Sequence, residues 1–276
     1  MADPIPDLTR PGPLDLLRGF GIALRGLGLV FSNRRLTLLT LAVALITALT
    51  LGALAAGLWH YVPALVGWAW TPPATWWGSA LFRLVTILAF LLLLVAGGNT
   101  LPLMLAAPLM DSISVATERH LGVEVEAESG LGRMARELLR AWANAVVRLI
   151  VLLAGQVLLL LLLLIPGIGG PLWTALSWTW AALWISAAYL DVPMARHLYT
   201  FGHELAALRR RPMLCLGFGA AVALMLWVPL LNFFFVPVAV VGSTLLFRGL
   251  AAAGVLPAPE QRRTPEGGSP GPSPAA

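Results

Sequence analysis

Residues 149–190 read LIVLLAGQVLLLLLLLIPGIGGPLWTALSWTWAALWISAAYL, 42 positions without an Asp, Glu, Lys, Arg or His. About 20 helical residues at 1.5 Å each cover the hydrocarbon core of a bilayer, so this stretch is long enough for two passes. Its centre, Pro166-Gly167-Ile168-Gly169-Gly170-Pro171, is a turn sequence that no continuous helix tolerates. It leaves apolar legs of 17 and 19 residues. Both legs are apolar in every register and lack the alternation of a barrel strand. In lipid such a backbone satisfies its own hydrogen bonds as a helical hairpin.

The rest of the chain repeats the theme. Residues 36–59, 84–110 and 212–247 are also free of charge. Hydrophobic residues make up 59% of the chain and charged ones 11%, against roughly a quarter charged in soluble domains. The expected fold class is an all-α polytopic membrane protein with two long spanning helices, two intramembrane helical hairpins and amphipathic interfacial helices. In the first run Ala48, Gly52 and Ala56 repeat small residues at a spacing that permits close helix contact. Residues 60–79 gather Tyr61, Trp68, Trp70, Trp76 and Trp77 among prolines, which suits the far membrane surface. The second helix returns from near Arg83; Gly97, Gly98 and Pro102 predict a kink, Pro108 a boundary, and Asp111 the cap of a short following helix. Residues 212–247 divide around Pro229, Asn232 and Pro237 into legs of about 15 residues, roughly 23 Å, so the tip is expected inside the membrane.

Charge supplies the topology. All 18 basic residues are arginines. If the first two helices cross and each hairpin returns to its own side, every arginine but Arg83 collects on one face, which the positive-inside bias assigns to the cytoplasm. Scattered over short flanking segments, these arginines form no basic stripe for nucleic acid. Residues 14–31 are expected to place Asp15, Arg18 and Arg25 on one arc with Leu14, Leu17, Leu24 and Phe31 opposite, a pattern for a helix lying along the surface. An acidic patch, Glu124, Glu126 and Glu128, precedes a second interfacial helix with Arg133, Arg136, Arg140 and Arg148 on one side. Residues 1–250 are expected to form one membrane domain, and the Pro, Gly and Ser rich residues 251–276 a disordered tail. The prolines, two aspartates and Arg10 within residues 1–13 do not fit a cleavable signal peptide.

Catalytic patterns are missing. His197, His203 and Glu204 lack the spacing of a zinc hydrolase, and Ser177 and Ser186 lack the glycine context of a nucleophile elbow. The single Cys215 builds neither a thiolate metal site nor an intrachain disulfide. No enzyme activity, cofactor or metal is expected.

Three patterns in order resemble one family. They are Ala107-Pro108-Leu109-Met110-Asp111 with Glu118; Tyr189-Leu190-Asp191-Val192-Pro193 with Arg196 and Phe201; and Pro229-Leu230-Leu231-Asn232 with Pro237 and Gly242. Over about residues 14–250 the chain is similar to the CysZ and etoposide-induced protein 2.4 family. The resemblance implies a multi-pass protein of the bacterial cytoplasmic (inner) membrane, often a homo-oligomer, with sulfate uptake in its CysZ branch. Such members carry a Gly-Leu-Arg motif, commonly with a further arginine, before the first spanning helix. Ser32-Asn33-Arg34-Arg35 stands there, matching the arginines but not the glycine and leucine.

Ser32, Asn33, Arg34 and Arg35 are therefore the candidate anion site. A helix N-terminus with adjacent guanidinium groups suits a tetrahedral oxyanion, and paired arginines at a helix start also serve as topological anchors. Asp111, Glu118 and Asp191 border apolar runs, where acids either pair with arginines such as Arg196 or carry protons in a coupled transporter. The function expected is uptake of sulfate or a related small oxyanion through the lipid bilayer. The alternative is a membrane scaffold or assembly protein of the same fold.

Overall fold

The computed structural model describes residues 5–71, 75–123, 131–197, 199–227 and 229–256, and every regular element among them is helical. The acidic patch and residues 257–276 of the expected tail lie outside the described residues, as do the side chains of residues 131–145.

Helix α1 (Asp15–Ser32) is joined to α2 (Arg34–Ala69) by one residue. Asn33 takes an extended conformation, its N–H closing α1 on the Leu29 carbonyl and its side chain accepting from the Arg35 N–H at 3.0 Å. One asparagine thus ends one helix and starts the next. α2 turns back near Thr75, whose hydroxyl accepts from the Gly78 N–H and caps α3 (Trp76–His120). At 36 and 45 residues, these helices are about 54 and 68 Å long, well beyond a hydrocarbon core.

Three expectations are corrected here. α2 runs through Pro63 to Ala69, so most of the segment expected along the far surface is helix. α3 continues through Gly97, Gly98 and Pro102, runs past the boundary expected at Pro108, and holds Asp111 as an interior residue rather than a cap. Around Pro108 the helix is held by packing, with Ala106, Met110 and Ile113 buried on either side.

α4 (Leu131–Leu160) merges the second arginine-bearing segment with the first leg of the hairpin into one helix. A short 3₁₀ turn (Leu161–Leu164) and Gly167, at φ +84°, reverse the chain into α5 (Gly169–Arg196), as the Pro and Gly rich sequence predicts. α6 (Phe201–Arg210) follows, then α7 (Pro212–Leu226) and α8 (Pro229–Ala252). The break lies between α7 and α8, while Asn232 and Pro237 are interior to α8, whose 24 residues exceed the leg of about 15 expected. Among the described residues, four stretches are long and apolar enough to cross a bilayer: Arg34–Ala69, Trp76–Gly98, Val146–Leu164 and Asn232–Ala252.

The main core joins α1, α5, α6, α7 and α8 around the buried Ile22, Leu190, Leu214, Phe218 and Leu246. α7 is wedged at its centre by backbone contact on two sides. A Cβ on Gly217 would fall on the Leu16 carbonyl of α1, and one on Gly219 on the Ala182 carbonyl of α5. Only glycine permits that approach. α1 is therefore half core: Asp15, Gly19, Ile22, Ala23, Gly26 and Val30 face inward, while Leu17, Leu24 and Phe31 remain exposed as expected of an interfacial helix. A second core, with Val30, Leu36, Met110, Ile113 and Val241, ties the α1–α2 junction to the latter half of α3 and to α8.

Candidate functional site

The α1–α2 junction holds the four residues expected to form the anion site. Ser32 spends its hydroxyl on the Leu29 carbonyl at 3.1 Å. Asn33 donates through Nδ2 to His120 Nδ1 at 3.2 Å, fixing the junction to the end of α3. Arg34 and Arg35 are exposed, and neither guanidinium has a hydrogen-bond or carboxylate partner among the described residues. The first turn of α2 thus offers two free guanidinium groups beside its N–H groups, one of which Asn33 already occupies.

Two residues before His120, Glu118 is fully buried. Its Oε2 accepts from Arg196 Nη1 at 2.9 Å, and its Oε1 accepts from Arg248 Nε at 3.1 Å. His197 Nε2 lies 2.9 Å from the same Oε1 and its ring stacks on Phe247. Arg196 also donates through Nε to Asp111 at 3.0 Å. Burial alone would raise the Glu118 pKa, but the bond and charge of His197 with those of Arg248 and Arg196 outweigh it and hold the carboxyl below its ordinary value. One helical turn deeper, the hydroxyls of Ser114 and Thr244 pair at 3.0 Å. The cluster locks the ends of α3, α5 and α8 together.

Asp191 belongs to a different cluster. It and the buried Glu204 share Arg148, whose Nη2 lies 3.1 Å from Asp191 Oδ1 and donates to both Glu204 oxygens at 3.0 and 2.9 Å. Burial, reinforced by Asp191, pushes the Glu204 carboxyl above its ordinary range against the pull of Arg148. A third buried pair, Arg211 with Asp15 at 2.7 Å, fastens α7 to α1. Asp191 thus pairs with an arginine, though with Arg148, while Arg196 serves Asp111 and Glu118.

Of the residues expected from sequence, Asp111 and Glu118 meet at Arg196, and Asn33 reaches the end of the helix that carries both. Arg148, His197, Glu204, Arg211 and Arg248 form the remainder of these networks and were not anticipated as such. A signal existed for three of them. Arg148 directly abuts the charge-free run of 42 residues, and Arg211 and Arg248 flank the one of 36, where a charge has little water to turn to.

The family model for sulfate transporter CysZ/etoposide-induced protein 2.4 matches residues 22–237, more than half of the chain. The chain belongs to this CysZ/etoposide-induced protein 2.4 family. The match takes in the anion-site candidates and the Glu118 and Asp191 positions, and stops before Arg248. Among curated CysZ relatives, the sulfate transporter CysZ of Pectobacterium atrosepticum is 32% identical over 180 residues, or 64% of this chain. The alignment spans 66% of that relative, slightly under two thirds of its length.

Proposed function

We propose that this protein carries sulfate, or a closely related small oxyanion, across the bacterial cytoplasmic membrane. One observation in the molecule supports the site: Arg148, Arg196, Arg211 and Arg248 are matched to internal carboxylates, whereas Arg34 and Arg35 are left exposed and unmatched at a helix start. Forked donors without an internal counter-charge are available to an external tetrahedral anion. The name of the Pectobacterium relative supplies sulfate as the first substrate to test. In this reading Ser32 and Asn33 shape the junction, and Asp111, Glu118 and Asp191 act as counter-ions that hold helix ends. The membrane unit spans 1–250, α2 and α3 cross fully, the two later hairpins return to the arginine-rich cytoplasmic face, and copies associate as a homo-oligomer.

The test is binding and flux of sulfate with the purified protein in liposomes, normalised to correctly oriented protein. Arg34→Gln/Arg35→Gln is compared with Arg209→Gln/Arg210→Gln, another adjacent exposed pair. Charge-assisted hydrogen bonds are worth about 1.5–3 kcal/mol each, so the first variant is expected to lose at least about tenfold in affinity and the second little. Equal behaviour of the two would return Arg34 and Arg35 to membrane anchoring. Absence of flux above empty liposomes for sulfate and other oxyanions would leave the scaffold as the better reading.

A further inference from the structure

Ahead of α1 the extended segment of residues 5–13 folds back along that helix and is held firmly. Leu8 is buried in the main core, its carbonyl accepts from the buried Arg211, and Pro6 lies against Gly249 of α8. Between segment and helix opens a cleft of about 470 Å³. That is within the roughly 300–1,000 Å³ of small-molecule sites. Asp7 stands on one side, and Leu14, Leu17, Arg18 and Arg25 on the other.

The two walls carry opposite charge. Arg18 and Arg25 lie two turns apart on one flank of α1. Arg25 is exposed with no partner among the described residues, and Arg18 commits only Nη1, to the Arg10 carbonyl and to Asp15. Asp7 takes the N–H and hydroxyl of Thr9 on Oδ1, at 3.0 and 2.7 Å, which lowers its pKa and leaves Oδ2 uncommitted. Beside this charge-separated cleft runs the exposed stripe of Leu14, Leu17, Leu24 and Phe31, at 57, 63, 47 and 65% exposure. α1 leads through one residue into a helix apolar enough to span, so the stripe adjoins that span at its Phe31 end.

We propose that this cleft binds the headgroup of an amine-bearing zwitterionic phospholipid, its phosphate on Arg18 and Arg25, its ammonium on Asp7, and its acyl chains along Leu14, Leu17 and Leu24. An anionic headgroup without an amine satisfies the arginines but brings no donor to Asp7 Oδ2, and it draws on Arg18, one of the two arginines whose charge already favours the Asp7 carboxylate. A trimethylated amine cannot donate a hydrogen bond to Asp7 at all.

The experiment is competition among phosphatidylethanolamine, phosphatidylglycerol and phosphatidylcholine in equimolar nanodiscs, with retained lipid counted by native mass spectrometry. Wild type is expected to favour phosphatidylethanolamine about fivefold, Arg25→Gln to lose about that factor in its retention, and Asp7→Asn to retain phosphatidylglycerol equally well. Both positions are exposed, so neither variant tests folding. Equal retention of all three lipids by wild type, or unchanged selectivity in both variants, overturns the proposal. Soluble glycerophosphoethanolamine displacing the lipid at matched concentration would overturn the lipid assignment and leave a site for the free headgroup.

Discussion

The two halves of α3 differ in composition and in surroundings: residues 76–98 hold one charged residue, Arg83, while residues 99–120 hold Asp111, Glu118, Arg119 and His120. Between residues 79 and 98 no residue with a described side chain is buried by the rest of the chain, whereas Ala106, Ile113 and Ala116 beyond are at most 5% exposed. The first half and the α2 stretch beside it make a two-helix arm whose outer surface the rest of the chain leaves uncovered. The second half joins a core in which residues 237–247 of α8 are all buried. In the core, helices touch backbone to backbone through Gly217 and Gly219. In the arm, contact is made by side-chain ends, such as those of Leu51 and Leu54 reaching Gly98 and Gly97. Residue size is thus strictly constrained in one region and loosely in the other.

The largest effect is expected where the ends of α3, α5 and α8 meet. Glu118→Gln removes the carboxylate charge shared by Arg196 and Arg248 and should cost about 3 kcal/mol, the low end for a broken buried pair because both guanidinium side chains keep 17% exposure. The native carboxyl titrates below its ordinary 4.5. Its stabilisation is therefore present above that value and lost as pH falls through the folded pKa, so wild type and variant should converge in acid. Unfolding in detergent across neutral to acidic pH measures this; a gap that never closes would assign the residue a packing role. Next come Gly217→Ala and Gly219→Ala, each driving a methyl onto a carbonyl and expected to cost about 2 kcal/mol in the same assay. A loss below about 0.5 kcal/mol would mean that α7 is not wedged.

The arm should respond more weakly. A Cβ on Gly97 or Gly98 meets only a leucine methyl, at 2.9 Å in each case, and that methyl can swing away. Each alanine variant is expected to cost under about 1 kcal/mol; a core-sized loss would erase the distinction between the regions. Smallest of all is Gly52→Ala, where a Cβ meets nothing within 4 Å. A gain of about 0.5–1 kcal/mol from helix propensity is expected in monodisperse protein. A loss accompanied by a change in oligomeric state would show that the Ala48, Gly52 and Ala56 stripe faces a second copy.

These contrasts separate what local sequence carries from what it does not. The small-residue stripe on α2 was readable at its spacing, yet the close approaches are made by Gly217 and Gly219, which no longer repeat pattern announces. The reversal at Gly167 was legible from its turn sequence, whereas the caps Asn33 and Thr75 were not anticipated and α3 starts at Trp76 rather than near Arg83. Helix ends were misjudged at Pro63 and Pro108, where the helix continues past a proline; at Pro108 the burial of Ala106, Met110 and Ile113 holds it. The anion-site residues were named as a contiguous motif, and they do sit together at one junction. Their electrostatic freedom could not be read there, since it depends on carboxylates far away along the chain.

By itself the sequence determined the class of the molecule, the places of its apolar runs, the reversal at residues 166–171 and the residues by which its family is recognised. Each follows from a preference that a residue or a run expresses locally: for lipid over water, or for a turn over a helix. The tertiary structure alone decided which charges neutralise one another. Glu118 meets Arg248 across 130 residues, Arg211 meets Asp15 across 196, and Arg148 serves two acids on different helices. A buried charge must find its counter-charge wherever packing brings one, so which arginines are consumed inside and which, like Arg34 and Arg35, stay free is fixed only when the helices meet.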